Sequence, residues 1–254
     1  MQHILCGENL RNLLITISYD GRQFHGWQIQ KNGITVQEVF QEALTKIVGE
    51  YKDLKGCSRT DSGVHALMYC ISVRIAHPIE PVRLKAALNR WLPSSVSCLD
   101  CVQVSDDFHA RYDCKSKQYK YKIWNSDTRN PFLNGYALFY PYKLDAELLN
   151  KTAQDFVGKH DFTSFCTLDK REVGDMSREV KHFEVERDGD LVVMTVEADG
   201  FLYNMVRIMV GTLLEIAQGK IKPDAIPEIL NKHNRLFAGA TAQACGLYLD
   251  KVNY

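Results

Sequence analysis

The chain opens on an alternating pattern: Leu13, Ile15, Ile17 and Tyr19 are interleaved with Leu14, Thr16 and Ser18, the period of a half-buried strand. Asp20-Gly21 then supplies turn chemistry that ends it. Thr35 with Glu38 three residues on carries a capping-box signature. Val36, Val39, Phe40, Ala43, Leu44 and Ile47 follow at helical spacing until Gly49. Next come an extended piece over 54–58, a strand over 68–75 and a helix opened by Pro81, with Leu84, Leu88 and Trp91 on one face. A strand over 96–104 completes a βαββαβ order.

That order favours an antiparallel sheet covered by helices on one side, the ferredoxin-like plan also used by RRM domains. The second half repeats the theme loosely. Its pattern predicts strands over 118–124 and 136–140, a helix over 145–156 and strands over 179–187 and 191–198. A long helix over 203–218, a short one over 224–231 and a last strand over 247–252 follow. Residues 1–12 read as an N-terminal extension, 13–113 as an N-terminal catalytic half and 114–254 as a C-terminal half that completes the site. No Gly/Pro/Ser-rich linker separates them near 113–116, so the halves are expected to pack with a ligand-binding cleft between them. The expected class is α/β (α+β): two RRM/ferredoxin-like halves forming a continuous, mainly antiparallel sheet flanked by helices.

Composition narrows the picture only at the edges. A chain of 254 residues with 45% hydrophobic and 24% charged residues has the balance of a globular domain, and no apolar run reaches the roughly 20 residues of a spanning helix. The first dozen residues include Glu8 and too short an apolar stretch for a secretory signal. A cytoplasmic protein without a membrane partner is expected. Basic and acidic residues balance at 31 each, so overall charge is silent about nucleic acid. Locally, Arg111, Lys115, Lys117, Lys120 and Lys122 stand against Asp113 alone. This is either a stripe for phosphates or an edge strand with lysines turned outward against aggregation. Of the eight cysteines only Cys98-x-x-Cys101 has suggestive spacing. No second pair or nearby histidine completes a zinc set, so no metal is expected.

The stretch that carries chemistry is Ser58-Arg59-Thr60-Asp61-Ser62-Gly63-Val64-His65-Ala66. A lone Asp-Ser-Gly is an ordinary turn, but the nonapeptide closely resembles the active-site motif of the TruA family of tRNA pseudouridine synthases, Gly-Arg-Thr-Asp-Ala-Gly-Val-His-Ala in typical form. Other segments resemble the same family in order: Tyr19-Asp20-Gly21 with Phe24, Gly26-Trp27-Gln28 and Gln30; Phe108-His109-Ala110-Arg111; Tyr119-x-Tyr121; Phe201 through Arg207 to Gly211 and Leu214; Gly239-x-Thr241-Ala242 with Gly246-Leu247. The resemblance covers about residues 13 to 254.

The resemblance implies isomerisation of uridine to pseudouridine in the anticodon stem-loop of tRNA, at positions 38, 39 and 40, without a cofactor and by a homodimer. It makes Asp61 the nucleophile, and a free aspartate, with a pKa of about 3.9, is already ionised at neutral pH. Arg207 lies in an apolar helical stretch, where an unpaired guanidinium would cost roughly 3 to 5 kcal/mol. It therefore needs an acidic partner; any carboxylate would serve, and the resemblance points to Asp61. Tyr119 alternates with Tyr121 and Ile123, opposite Lys120 and Lys122. By itself it could be a core tyrosine, whereas the resemblance matches it to the residue that meets a flipped-out base. Arg59 is expected to hold backbone phosphate or the flipped nucleotide, Leu247 to wall the pocket or pack the core, and Arg111 and Lys117 to bind the substrate. His65 invites a general-acid reading and His109, near Arg111, a phosphate-binding one, but a histidine in an ordered loop is more often a hydrogen-bonded structural group. Gln243 and Gln118 depart from the family's usual proline and arginine, which bears on the grip on RNA more than on the reaction. A glycosidase would want a second carboxylate at the site, and none is evident.

Overall fold

A computed structural model describes residues 10–167 and 174–254; most of the N-terminal extension lies outside the described residues. The chain divides into two compact units, residues 1–114 with Tyr254, and residues 115–253. Among the described residues there are ten strands and five α-helices, a mixed α/β protein in which the strand pairs within each unit are antiparallel save one short parallel pair.

The first unit runs β1 (Arg11–Tyr19), α1 (Val36–Val48), β2 (Tyr51–Gly56), β3 (His65–Ile75), α2 (Pro81–Trp91) and β4 (Val96–Gln103). Its sheet order β4-β1-β3-β2 is the ferredoxin-like arrangement. The register pairs Leu13 with Val73, Ile15 with Ile71 and Ile17 with Tyr69, so their side chains share one face; all six are buried. The helices bury Phe40, Ala43 and Leu44 from α1 and Leu84 and Leu88 from α2. Fully burying such side chains contributes roughly 1.5 to 3 kcal/mol each. The capping box at the start of α1 is formed, Thr35 accepting from Glu38 N and Glu38 accepting from Thr35 N. Trp91 departs from expectation. It is the last residue of α2 and is 53% exposed, with the Lys46 ammonium over its ring.

The second unit contains β5 (Ser116–Trp124), β6 (Leu138–Phe139), α3 (Ala146–Ala153), β7 (Gly158–Asp161), β8 (Ser177–Asp188), β9 (Leu191–Ala198), α4 (Met205–Ala217), α5 (Ile226–Lys232) and β10 (Leu247–Asn253). Its sheet runs β10-β5-β9-β8-β7, with β6 parallel to β5. Strand β5 is therefore interior, which corrects the edge-strand alternative. Its basic residues form no single stripe either. Alternation puts Lys117 on the face of Tyr119 and Tyr121, and Lys120 and Lys122 on the other, where Lys120 Nζ lies 3.3 Å from Asp250 and Lys122 over the Tyr248 ring. Strand β7 was not anticipated. The core is aromatic where α3, β8 and the turn after β7 meet: Phe156 packs edge-on to Phe165 at 4.9 Å and stacks on Phe183 at 5.8 Å. Helix α4 is buried nearly all round, as its composition demands.

Candidate active site

Residues 57–64 connect β2 to β3 and carry the predicted nucleophile. This loop has little regular structure of its own, so its shape comes from neighbours. Tyr19, at the end of β1, bonds through its hydroxyl to Thr60 Oγ1 at 2.8 Å in a buried site. Tyr69, on β3, donates its hydroxyl to Ser58 O and stacks on Trp27 at 4.3 Å. The segment after β1 supplies further bonds. Trp27 N donates to Thr60 O at 3.2 Å, Gly63 N donates to Phe24 O at 3.2 Å, and Ser62 Oγ donates to the same carbonyl at 3.3 Å. Val64 N closes the turn on Asp61 O at 3.2 Å.

Such close backbone approach explains two glycines of the opening segment. A Cβ on Gly26 would run into Thr60 O, and its φ of 80° is itself left-handed. A Cβ on Gly21 would strike Val64 O. His65 is buried, and its Nδ1 accepts from Gly21 N at 3.1 Å. Asp20 Oδ1 also lies 3.4 Å from that nitrogen. The shorter contact carries a backbone proton, so the arrangement is an acceptor bond and not an ion pair. Asp20 is instead held bidentate by Arg22. His65 is thus a strut for the loop. On this frame Asp61 is half-buried and Arg59 exposed.

The second unit holds Lys117, Tyr119, Arg207 and Leu247. Tyr119, on β5, is 6% exposed and meets Phe201 edge-on at 5.0 Å and 86°. Leu247 opens β10 opposite Tyr121 and is buried. Arg207 sits in the first turn of α4, where Nε donates to Ala242 O at 2.8 Å and Nη1 to Asn204 Oδ1 at 2.9 Å. Asn204 occupies the helix N-cap in the left-handed region, φ 63°, and makes no side-chain cap bond. Its carbonyl serves Arg207 and its amide donates to Thr167 Oγ1 at 3.0 Å. Burial pushes the Tyr121 phenol well above its ordinary range, with Cys245 adding to the rise and Arg207 opposing it; its hydroxyl donates to Gln243 O at 2.7 Å. The main-chain carbonyl thus does the work at the position where Gln243 departs from proline. Gln118 donates to Asp250 at 2.6 Å. Phe201 and Asn204 lie inside the segment that resembles the family, and only their contacts mark them as part of the site.

Arg111 lies apart from the Asp61 loop in sequence, on an exposed turn over 105–113. Lys117 is half-buried on β5. Among the described residues no group of three His, Cys, Asp or Glu side chains could hold a metal ion.

A family model described as tRNA pseudouridine synthase matches residues 15–113 and 152–254. The chain belongs to the tRNA pseudouridine synthase family. It is thereby an isomerase. A protein of Thermoanaerobacter sp. (strain X514) named tRNA pseudouridine synthase A is 42% identical over 245 residues, covering 96% of this chain and all of the relative. The tRNA pseudouridine synthase A of Acetivibrio thermocellus is also 42% identical over the same share of both chains. A Bacillus anthracis protein named tRNA pseudouridine synthase A 2 is 39% identical over 246 residues, again 96% of this chain and all of that one. The first matched stretch includes the Asp61 loop and Arg111 and the second includes Arg207 and Leu247, while Lys117 and Tyr119 lie between the two.

Proposed function

We propose that the chain converts uridine to pseudouridine in the anticodon stem-loop of tRNA, at positions 38, 39 and 40, with Asp61 as nucleophile. The observation that supports this most directly is a half-buried carboxylate on a loop fixed by hydroxyl and backbone bonds from two aromatic strand residues and the 20–28 segment. Such fixation holds a reacting group without reorganisation at the moment of reaction. The reaction is an isomerisation: the N1–C1′ bond breaks, a C5–C1′ bond forms, the C5 proton leaves and N1 gains one. Nothing is oxidised or reduced and no group is imported, so the chemistry asks for a positioned carboxylate and room for the base to turn.

Uridine in a stem must leave the stack to be reached. On this reading Tyr119 and Leu247 wall the flipped base, Arg59 holds its nucleotide, and Arg111 and Lys117 bind phosphate. Arg207, held by Asn204 and Ala242, is proposed as the ion-pair partner of Asp61, on the strength of the family resemblance. The active form is proposed to be a homodimer, checked by light scattering at working concentration.

The test is purified protein with an unmodified tRNA transcript, mapped by pseudouridine-specific labelling and primer extension beside Asp61→Asn. Stops at positions 38 to 40 that fall by about a thousandfold or more in rate with the variant are expected. Stops elsewhere in the tRNA would overturn the site assignment, and an active Asp61→Asn would overturn the nucleophile.

A further inference from the structure

The turn over 105–113 presents an aromatic ring to solvent on a rigid mount. Tyr112 is 76% exposed. Isolated exposed hydrophobics need no explanation, but the mount beneath this one does. Ala110 N donates to Ser72 Oγ at 3.1 Å, and Ala110 O accepts the Tyr254 hydroxyl at 2.8 Å. Asn12 Nδ2 donates to Ser105 O and Phe108 O at 2.8 and 2.9 Å. His109 Nδ1 then accepts from both Arg111 N and Tyr112 N, at 3.0 and 3.2 Å. His109 N donates to Asp113 Oδ2 at 2.7 Å, and Asp113 N donates back to His109 O at 3.1 Å. Of the turn's three acids, Asp106, Asp107 and Asp113, the one next to Tyr112 is therefore engaged with the turn's own backbone.

These bonds fix the His109 ring against the backbone of Arg111 and Tyr112. The imidazole ring, its Nδ1 turned to these amides, packs on Tyr112 at 4.3 Å and 31°. The Arg111 guanidinium stands 5.9 Å from the Tyr112 centroid. An exposed phenol backed by an imidazole beside a guanidinium has the chemistry that holds an unpaired nucleotide: a flat π surface for the base and planar donors for the next phosphate. Ordering the ring beforehand removes part of the entropy that binding would otherwise cost. A protein partner would find only one ring and a charge here, too little for an apolar anchor.

We infer that Tyr112, backed by His109, is a stacking platform for an unpaired nucleotide of the RNA substrate, with Arg111 on the adjoining phosphate. This rests on the proposed action on tRNA and adds a grip separate from the Asp61 loop in sequence. The experiment measures dissociation constants and steady-state kinetics with an unmodified tRNA transcript for wild type, Tyr112→Ala, Tyr112→Phe and Tyr112→Trp. Expected is a roughly tenfold weaker affinity for Tyr112→Ala, carried by KM, with Phe and Trp within about twofold of wild type. Arg111→Ala should lower the slope of log affinity against log salt by about one.

Wild-type affinity in Tyr112→Ala, with pseudouridine still formed, would overturn the platform and leave the enzymatic reading intact. A wild type that forms no pseudouridine in tRNA would instead sink that reading and the platform with it. A shift in oligomeric mass of Tyr112→Ala without RNA, at unchanged affinity, would make the ring a protein contact and overturn the RNA assignment. Because the ring is exposed, an unchanged thermal melt is expected and certifies that the variant is folded.

Discussion

Tyr69 is a small case of a residue that acts through another. It is fully buried, its ring stacks on Trp27 and its hydroxyl reaches the carbonyl of Ser58, three residues before Asp61. Tyr69→Phe keeps the ring and deletes the bond, and a hydrogen bond lost in a buried site costs about 1 to 2 kcal/mol. The loop should stay folded yet hold Asp61 less well. We expect turnover to fall by about tenfold with the tRNA dissociation constant unchanged, because the hydroxyl touches the loop and not the substrate. Turnover within twofold of wild type would show that Tyr19, Trp27 and Phe24 suffice to hold the loop. At this scale the sequence is uneven. Asp61, Arg59 and His65 are legible because the motif that marks them is contiguous. Tyr69, Phe201 and Asn204 are not, because what defines them is a carbonyl, a ring edge or a guanidinium that alternation and spacing do not encode.

Elements show the same contrast between local and long-range signals. The capping box of α1, the alternation of β1 and β5 and the apolar girth of α4 are local, and each appears where the pattern puts it. Strand β7 has four residues and β6 two; both exist only because a neighbour offers a free edge. That β5 is interior depends on β9 and β10, which lie far along the chain. The Cys98-x-x-Cys101 pair is explained at this level too. Ile15 pairs with Cys101 and Ile17 with Cys98, so the register slips by one residue between them. The bulge turns both thiols inward and leaves Leu99 42% exposed, where strict alternation would have split the pair across the sheet. Burial pushes the Cys98 thiol up to about 11 and that of Cys101 to about 12, against an ordinary value of 9.0, with each site's charged neighbours modifying the effect. A thiol whose folded value is raised favours folding while it stays protonated. That contribution is complete below about pH 9 and is lost as pH climbs through 11 to 12. The urea midpoint should therefore fall across this alkaline window, and less steeply in a Cys98→Ala, Cys101→Ala variant compared with its own value at pH 8. Equal slopes in the two proteins would assign the alkaline loss to other groups.

At the scale of the whole molecule the division into units is not quite a division of the sequence. Residues 115–253 form one unit, and Tyr254, directly after β10, belongs to the other. Its ring tilts against Phe108 at 5.0 Å, and its hydroxyl donates to Ala110 O at 2.8 Å. Burial drives its phenol far above the ordinary range, with the neighbouring thiols of Cys70 and Cys57 adding to the rise. A ring-sized truncation there should cost roughly 2 to 4 kcal/mol, and the cost should land where the contacts are. We expect Tyr254→Ala to speed amide hydrogen exchange over residues 105–113 while the amides of β8 and β9 keep their protection, since local opening follows the contacts that hold a segment. Tyr254→Phe, which keeps the ring, should lie much closer to wild type. The turn so released is the one that mounts Tyr112, so Tyr254→Ala should also weaken tRNA binding in the same direction as Tyr112→Ala, through a residue that stands 142 places away in the chain. Unchanged exchange over 105–113 would mean that Ser72 and Asn12 hold the turn without Tyr254. Exchange that rises in β8 and β9 as well would mean that the truncation acts beyond the turn, and the loss of affinity could then no longer be traced to the turn alone.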